Sequence, residues 1–145
     1  MCLPFQSSQE SPVPSTTSSI SPFQDWPVYD ISSCQDMHLL TAAASCGNWL
    51  ALSPAGAGNS VGIPWWIAVT GSRSGLSILD CGASPAIARN ALEAGIGWVV
   101  CRGAQAQIRA LQTVPAYRER ILPCPPPSRP VSFWRLNGQS AKLAP

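Results

Sequence analysis

Short apolar runs alternate with amphipathic stretches through the middle of this sequence. The runs cover residues 49–52, 76–79 and 98–101, with a weaker fourth at residues 120–123. Glycine or proline follows each of the first three within a few residues, and proline ends the fourth. Runs of this length and punctuation are typical of strands that are buried on both faces of a parallel sheet. The pattern therefore predicts four strands.

Helix signals fill the segments between these runs. Over residues 85–94, Ser84 can accept hydrogen bonds from the first turn, Pro85 suits the first helical position, and Gly95 can end the helix. Residues 104–112 and residues 61–72 are predicted as two further helices, each with apolar residues for one buried face. The most complete β-α-β unit is predicted over residues 76–103.

The order of elements predicts an α/β fold. Strands and helices alternate as β-α-β-α-β-α-β across a domain of residues 36–124, which indicates a small open parallel sheet of about four strands. Four strands cannot close an eight-stranded barrel. An open doubly wound, Rossmann-like sheet is therefore favoured over a fragment of a (β/α) barrel.

Both flanks of this domain have compositions that disfavour a packed core. Residues 1–35 contain nine Ser, five Pro and two Thr, which predicts a disordered arm. Aromatic residues near its end, such as Phe23 and Trp26, could dock on the domain or on a partner, but a plain linker is the favoured interpretation. Residues 125–145 are predicted as a Pro-rich, extended tail.

Charge is scarce and unevenly distributed. Charged residues make up 11% of the chain, against about 25% in typical soluble domains. All nine basic residues follow position 72, where only three acids accompany them, whereas residues 1–72 hold four acids and no base. The arginines are scattered singly, so we do not expect nucleic-acid binding. We expect instead a protein partner or a small anionic ligand. A membrane helix is disfavoured because residues 53–60 interrupt the uncharged region with Pro, Gly and Ser.

Whether the six cysteines form disulfides depends on the compartment in which the protein resides. Residues 1–6 carry no basic residue, and no signal-peptide-like apolar core follows them, so reduced cysteines and a cytoplasmic location are expected. No Cys-x-x-Cys pair occurs, and His38 is the only histidine. These patterns predict no metal site and no cofactor.

One segment resembles a group of known proteins. Residues 78–82 read Ile-Leu-Asp-Cys-Gly, and an Ala-rich helix, Gly95 and the apolar run from Trp98 follow them. This combination resembles small bacterial α/β proteins of no assigned activity, over about residues 50–123. In that pattern an acidic residue follows Asp-Cys-Gly, whereas this chain has Ala83. The resemblance implies a fold and no chemistry.

Candidate ligand-binding residues follow the predicted strands, because open α/β sheets bind ligands at the carboxyl ends of their strands. A Gly-rich loop after the first strand could bring N–H groups to a phosphate, although an ordinary flexible connection is the favoured interpretation. Asp80, which ends the next strand, is placed to contact a ribose. Cys81 precedes a helix that would favour a thiolate, but no base is expected beside it, so no catalytic residue is predicted. The predicted ligand-binding residues are Gly56, Gly58, Ser60, Asp80, Cys81 and Arg102.

Three hypotheses about function remain open from the sequence. The favoured one is a non-catalytic small α/β domain for interaction or ligand binding. The first alternative is an enzyme or sensor that binds a phosphorylated small molecule at the carboxyl edge of the sheet. The second is an incomplete or non-functional reading frame, suggested by the low charge and by eight arginines against one lysine.

Overall fold

The computed structural model describes residues 26–44 and 47–131, and these form an α/β fold around one parallel sheet. All five pairings between neighbouring strands are parallel, in the order β5-β4-β3-β2-β1-β6. The strands are β1 (Val28–Asp30), β2 (Leu50–Leu52), β3 (Ser77–Asp80), β4 (Trp98–Val100), β5 (Ile121–Leu122) and β6 (Arg129–Pro130).

Helices connect the first five strands. They are α1 (Cys34–Ala43), α2 (Ala57–Ser60), α3 (Ile63–Thr70), a 3₁₀ helix (Gly71–Leu76), α4 (Pro85–Glu93) and α5 (Gln105–Gln112). Within the described ranges, none of these helices has the length and apolar character needed to cross a membrane.

The sheet has six strands instead of the predicted four. The predicted strands correspond to β2–β5, while β1 lies in the predicted arm and β6 in the predicted tail. β1 pairs with β2 through Val28↔Leu50, and β6 pairs with β1 through Asp30↔Pro130. A proline is tolerated in β6 because this strand forms an edge of the sheet. The predictions of disorder for residues 1–25 and of an extended path for residues 132–145 lie outside the described residues.

Helix starts follow the expected capping chemistry. The predicted helix at residues 85–94 is confirmed as α4, where the Ser84 hydroxyl accepts from the Ile87 N–H at 3.3 Å. α1 begins in the same way, with the Ser33 hydroxyl accepting from the Asp36 N–H at 3.2 Å. The Asp36 carboxylate in turn accepts from the Ser32 N–H at 2.8 Å. Side-chain acceptors thus satisfy N–H groups that a helix leaves without an internal partner.

The described helices pack on one face of the sheet, which we call the helix face. Helix and strand side chains form a single apolar cluster there, including Ala51, Trp66, Leu79, Ala88, Ala91 and Val99. Alternate strand residues form a separate cluster on the opposite face, which we call the second face: Val28, Leu50, Leu52, Ile78 and Val100. A doubly wound sheet carries helices on both faces. The described residues therefore do not show the expected doubly wound arrangement.

One buried hydrogen bond fixes α3 against the sheet. Trp66 is completely buried, and its indole N–H donates to the Ser77 hydroxyl at 3.0 Å. The Ser77 hydroxyl in turn donates to the Ser74 carbonyl at 2.7 Å. An indole N–H without a partner at this depth would cost the free energy of its lost hydration.

Ser77→Ala therefore lowers the free energy of unfolding by about 1–3 kcal/mol, because it leaves the Trp66 N–H buried without an acceptor. Urea unfolding followed by tryptophan fluorescence measures this change. The control is Ser60→Ala, which removes an exposed hydroxyl bonded to the Gly56 carbonyl and changes stability by less than about 0.5 kcal/mol. Equal effects of the two substitutions would contradict the buried hydrogen bond.

Candidate functional site

A crevice opens where the carboxyl ends of β1, β2 and β3 meet. Parallel strands bring these ends to a single edge of the sheet, and the segment before β6 closes the crevice on one side. Its volume is about 450 Å³, which suits a small molecule. The lining residues are Asp30, Ile31, Ser32, Leu52, Ser53, Pro54, Ala55, Asp80, Pro125 and Ser128.

Asp80 is the most constrained charged residue at this edge. It ends β3 with only 1% of its surface exposed. Arg102, which follows β4, donates to both carboxylate oxygens, at 3.0 Å to Oδ1 and 3.2 Å to Oδ2. The Gly82 N–H donates to Oδ1 at 2.8 Å. This carboxylate is therefore held in one orientation by a two-pronged ion pair and a backbone donor.

The ion pair with Asp80 also determines the state of Arg102. Its side chain is 42% exposed, so one end of the pair reaches solvent. The hydrogen bonds to Asp80 raise the pKa of Arg102, although partial burial opposes this shift. Arg102 is therefore charged throughout the working pH range, and Asp80 neutralises it.

Two polar side chains that the sequence analysis did not select support this edge. The Asp80 N–H donates to the Ser53 hydroxyl at 2.9 Å, and the Asn59 amide donates to the Cys81 carbonyl at 3.0 Å. Both residues belong to the Gly-rich loop for which a phosphate site was the less favoured of two interpretations. Their positions in a Gly-rich loop after a strand were visible in the sequence, but their partners on β3 depend on tertiary packing.

The Gly-rich loop uses its own N–H groups internally. The Ala57 N–H donates to Pro54, while the N–H groups of Asn59 and Ser60 both donate to the Gly56 carbonyl. The Ser60 hydroxyl also donates to that carbonyl, at 3.1 Å. A phosphate site needs such donors free and pointing outward. Gly56 and Ser60 therefore stabilise the turn, and neither lines the crevice.

Gly58 lies against the end of β3 and has a packing reason to be glycine. A Cβ at this position would lie 3.2 Å from the Asp80 carbonyl oxygen and 3.2 Å from the Cys81 sulfur. Such distances are shorter than ordinary van der Waals contact, so a Cβ here would require the loop or the end of β3 to shift by a few tenths of an ångström. The close approach of the loop to the strand accounts for this glycine without a ligand.

Cys81 is a buried thiol of the core. It is completely inaccessible, and its sulfur approaches the Leu79 carbonyl at 3.7 Å. Burial raises the pKa of Cys81 to about 12, with smaller contributions from Cys101 and Asp80. His38, the only histidine of the chain, is exposed on α1. This environment disfavours the thiolate that nucleophilic chemistry requires.

The opposite wall of the crevice comes from the strands that were not predicted. Asp30 ends β1 as Asp80 ends β3, and the Ser128 hydroxyl donates to its Oδ1 at 2.6 Å. Strand alternation places both carboxylates on the second face, and Leu52, the register partner of Asp30, lines the crevice on the strand between them. The sequences Val-Tyr-Asp and Ile-Leu-Asp have the same pattern of two apolar residues followed by Asp. That repeat was the signal that could have identified Asp30.

The polar side chains that line the crevice present more hydrogen-bond acceptors than donors. Among the described residues, two carboxylates and three hydroxyls line the crevice, and no basic residue does. The described part of the chain holds no group of three or more His, Cys, Asp or Glu side chains with the spacing of a metal site. Of the predicted ligand-binding residues, Asp80 lines the crevice, Arg102 pairs with it, and Gly58 and Cys81 pack behind it.

Comparison of the chain with protein-family models, with curated proteins and with solved structures finds no match.

Replacing Arg102 tests how much its ion pair with Asp80 contributes to the free energy of unfolding. We expect Arg102→Met to lower the free energy of unfolding by about 2 kcal/mol, less than for a fully buried pair because the guanidinium is partly hydrated. Urea unfolding measures the loss. Arg89→Met breaks an exposed ion pair with Glu93 and serves as the control, with a change within about 0.5 kcal/mol. A loss at Arg102 no larger than this control would show that the pair does not stabilise the edge.

Thiol alkylation tests the environment of Cys81. At pH 8 a thiol with a pKa of about 12 is ionised in only about one molecule in ten thousand, and this one is also inaccessible. Iodoacetamide followed by peptide mass spectrometry should modify the exposed Cys34 and Cys124 in the native protein and leave Cys81 intact until urea unfolds the chain. If Cys81 in the native protein were modified as fast as Cys34, the conclusion that Cys81 is a buried thiol of the core would be wrong.

Proposed function

We propose that this protein is a non-catalytic α/β domain that binds a small ligand in the crevice at the carboxyl ends of β1, β2 and β3. The observation that carries the proposal is a crevice of ligand size whose mostly apolar lining carries a few oriented polar groups, such as the Asp30 and Asp80 carboxylates. The absence of catalysis is supported by Cys81, whose burial and raised pKa oppose reaction.

The lining favours a ligand that donates hydrogen bonds. Asp30 contributes a carboxylate at an exposed position, and the hydroxyls of Ser32, Ser53 and Ser128 lie nearby. An amine or a polyhydroxylated molecule complements such a surface, because carboxylates only accept hydrogen bonds when ionised. A phosphorylated ligand receives less support, since Arg102 is neutralised by Asp80 and the N–H groups of Ala57, Asn59 and Ser60 donate within the loop.

A cytoplasmic location belongs to the same proposal. The four described cysteines are free thiols, and Cys81 and Cys101 remain unpaired although they follow neighbouring, paired strands. Free thiols in this arrangement suit a reducing compartment.

The test is a thermal-shift screen of the full chain, with polyamines and sugars in one set and nucleotides and sugar phosphates in the other. We expect stabilisation by a member of the first set, because only a ligand that prefers the folded state raises the melting temperature. Isothermal titration of that ligand should show a loss of affinity of about tenfold or more in Asp30→Asn, which keeps the shape and removes the charge.

Glu119→Gln is the matched control, because Glu119 is an exposed acid remote from the crevice lining. Its affinity for the ligand should equal that of the unmodified chain. Stabilisation by a phosphorylated compound that Arg102→Met abolishes would favour the phosphate alternative over the amine or polyol. A flat screen with both sets, or binding that survives Asp30→Asn, would overturn the proposed crevice site.

A further inference from the structure

A second pocket opens at the amino ends of β4 and β5, at the edge of the sheet opposite the crevice, and we call it the amino-edge pocket. Its volume is about 460 Å³, close to that of the crevice. Trp98, the first residue of β4, forms one part of the wall, and the loop between α5 and β5 forms the rest. The lining residues are Trp98, Pro115, Ala116, Arg118, Glu119 and Arg120.

Arg120 is the most constrained side chain of this pocket. Its backbone carbonyl accepts from the Val99 N–H at 2.9 Å, which holds residue 120 against β4. Its guanidinium donates to three backbone carbonyl oxygens, those of Ile96 at 2.7 Å, Gly97 at 2.8 Å and Ala116 at 3.3 Å. The folded chain has therefore already fixed this side chain, so a ligand does not have to order it on binding.

The positive charge of Arg120 has no acidic partner in the part of the chain that the structure describes. Its three acceptors are neutral carbonyls, and neither described ion pair includes it. Arg118 also lacks a carboxylate partner there, and its Nε–H donates to the Gln112 carbonyl at 3.3 Å. Two guanidinium groups and the Glu119 carboxylate give the lining a net charge of +1.

We propose that the amino-edge pocket binds an aromatic carboxylic acid. A guanidinium has five N–H donors, and three of those of Arg120 are used within the protein. Two remain, which matches the two oxygens of a carboxylate. The indole of Trp98 and the ring of Pro115 supply an apolar wall on which a planar ring can stack.

The charge of the lining favours a carboxylate over a phosphate. A carboxylate carries one negative charge, whereas a phosphate monoester carries about 1.5 to 2 at pH 7. A net charge of +1 is balanced by the first and exceeded by the second. The inference is independent of the crevice, which lies at the other ends of the strands and is lined by acceptors.

The experiment is isothermal titration of the full chain with naphthoate as the probe. Naphthamide keeps the ring without the charge, and acetate keeps the carboxylate without the ring. We expect naphthoate to bind at least about tenfold more tightly than either, because each control lacks one of the two complementary groups. No binding of naphthoate, or equal binding of naphthamide, would overturn the proposal. Tighter binding of adenosine monophosphate than of naphthoate would overturn the choice of a carboxylic acid.

Two substitutions locate the binding. Arg120→Lys keeps the charge but loses the planar set of donors, and should weaken naphthoate binding about tenfold. Arg109→Lys is the matched control on the exposed surface of α5 and should leave the affinity unchanged. Glu119→Gln removes a repelling charge and should raise the affinity about threefold, a gain that damage to the fold would not produce.

The same titrations separate this pocket from the crevice. Asp30→Asn should leave naphthoate binding unchanged, because Asp30 lines only the crevice. Naphthoate binding that Asp30→Asn alters, or that neither Arg120→Lys nor Glu119→Gln alters, would place the probe outside the amino-edge pocket and overturn the proposal.

Discussion

A parallel sheet has to exclude water from both of its faces, and this requirement shapes the whole molecule. Strands β1 to β5 lie side by side in chain order, so each crossover moves one strand in the same direction. Right-handed crossovers in one direction place their helices on one face. The helix face is covered in this way, whereas no described α-helix contributes to the cluster of the second face.

The same winding explains where the crevice lies. Strand alternation directs Asp30 and Asp80 to the second face, at the edge where the parallel strands end. Leu52, on the strand between those of the two carboxylates, belongs both to the apolar cluster of the second face and to the crevice lining. Polar groups at this edge are held in place by hydrogen bonds within the protein, such as those from Gly82 and Arg102 to Asp80. These hydrogen bonds hold the polar groups of the crevice in fixed orientations, and the buried thiol of Cys81 belongs to the packing that supports them.

The sequence predicted the elements whose signals are local. The β3-α4-β4 unit was recognised because a serine cap, a proline in the first turn and a glycine stop surround an amphipathic stretch between two apolar runs. β1 and β6 were missed because three and two residues within Ser/Pro-rich sequence carry no such signal. Their assignment depends on pairing with strands that are distant in the chain.

The candidate site was predicted only in part, because some of its residues have local signals and others depend on tertiary contacts. Asp80 and Arg102 were selected from their places at strand ends, and the ion pair joins them. Gly58 was assigned to a phosphate loop, whereas its close contact with Cys81 is a property of tertiary packing that no local motif encodes. Asp30 and Ser128 were not selected, because the wall they form exists only once β1 and β6 join the sheet.

Amide hydrogen exchange of the full chain shows whether strands that are distant in sequence form one cooperative sheet. We expect amides in β2, β3 and β4 to exchange slowest and to lose protection together as denaturant is added, because they hydrogen-bond to one another in the middle of the sheet. The Cys81 N–H, which donates to the Val100 carbonyl at 2.8 Å, should belong to this group. Exchange of these amides at the rate of an unfolded chain would contradict the fold and every site built on it.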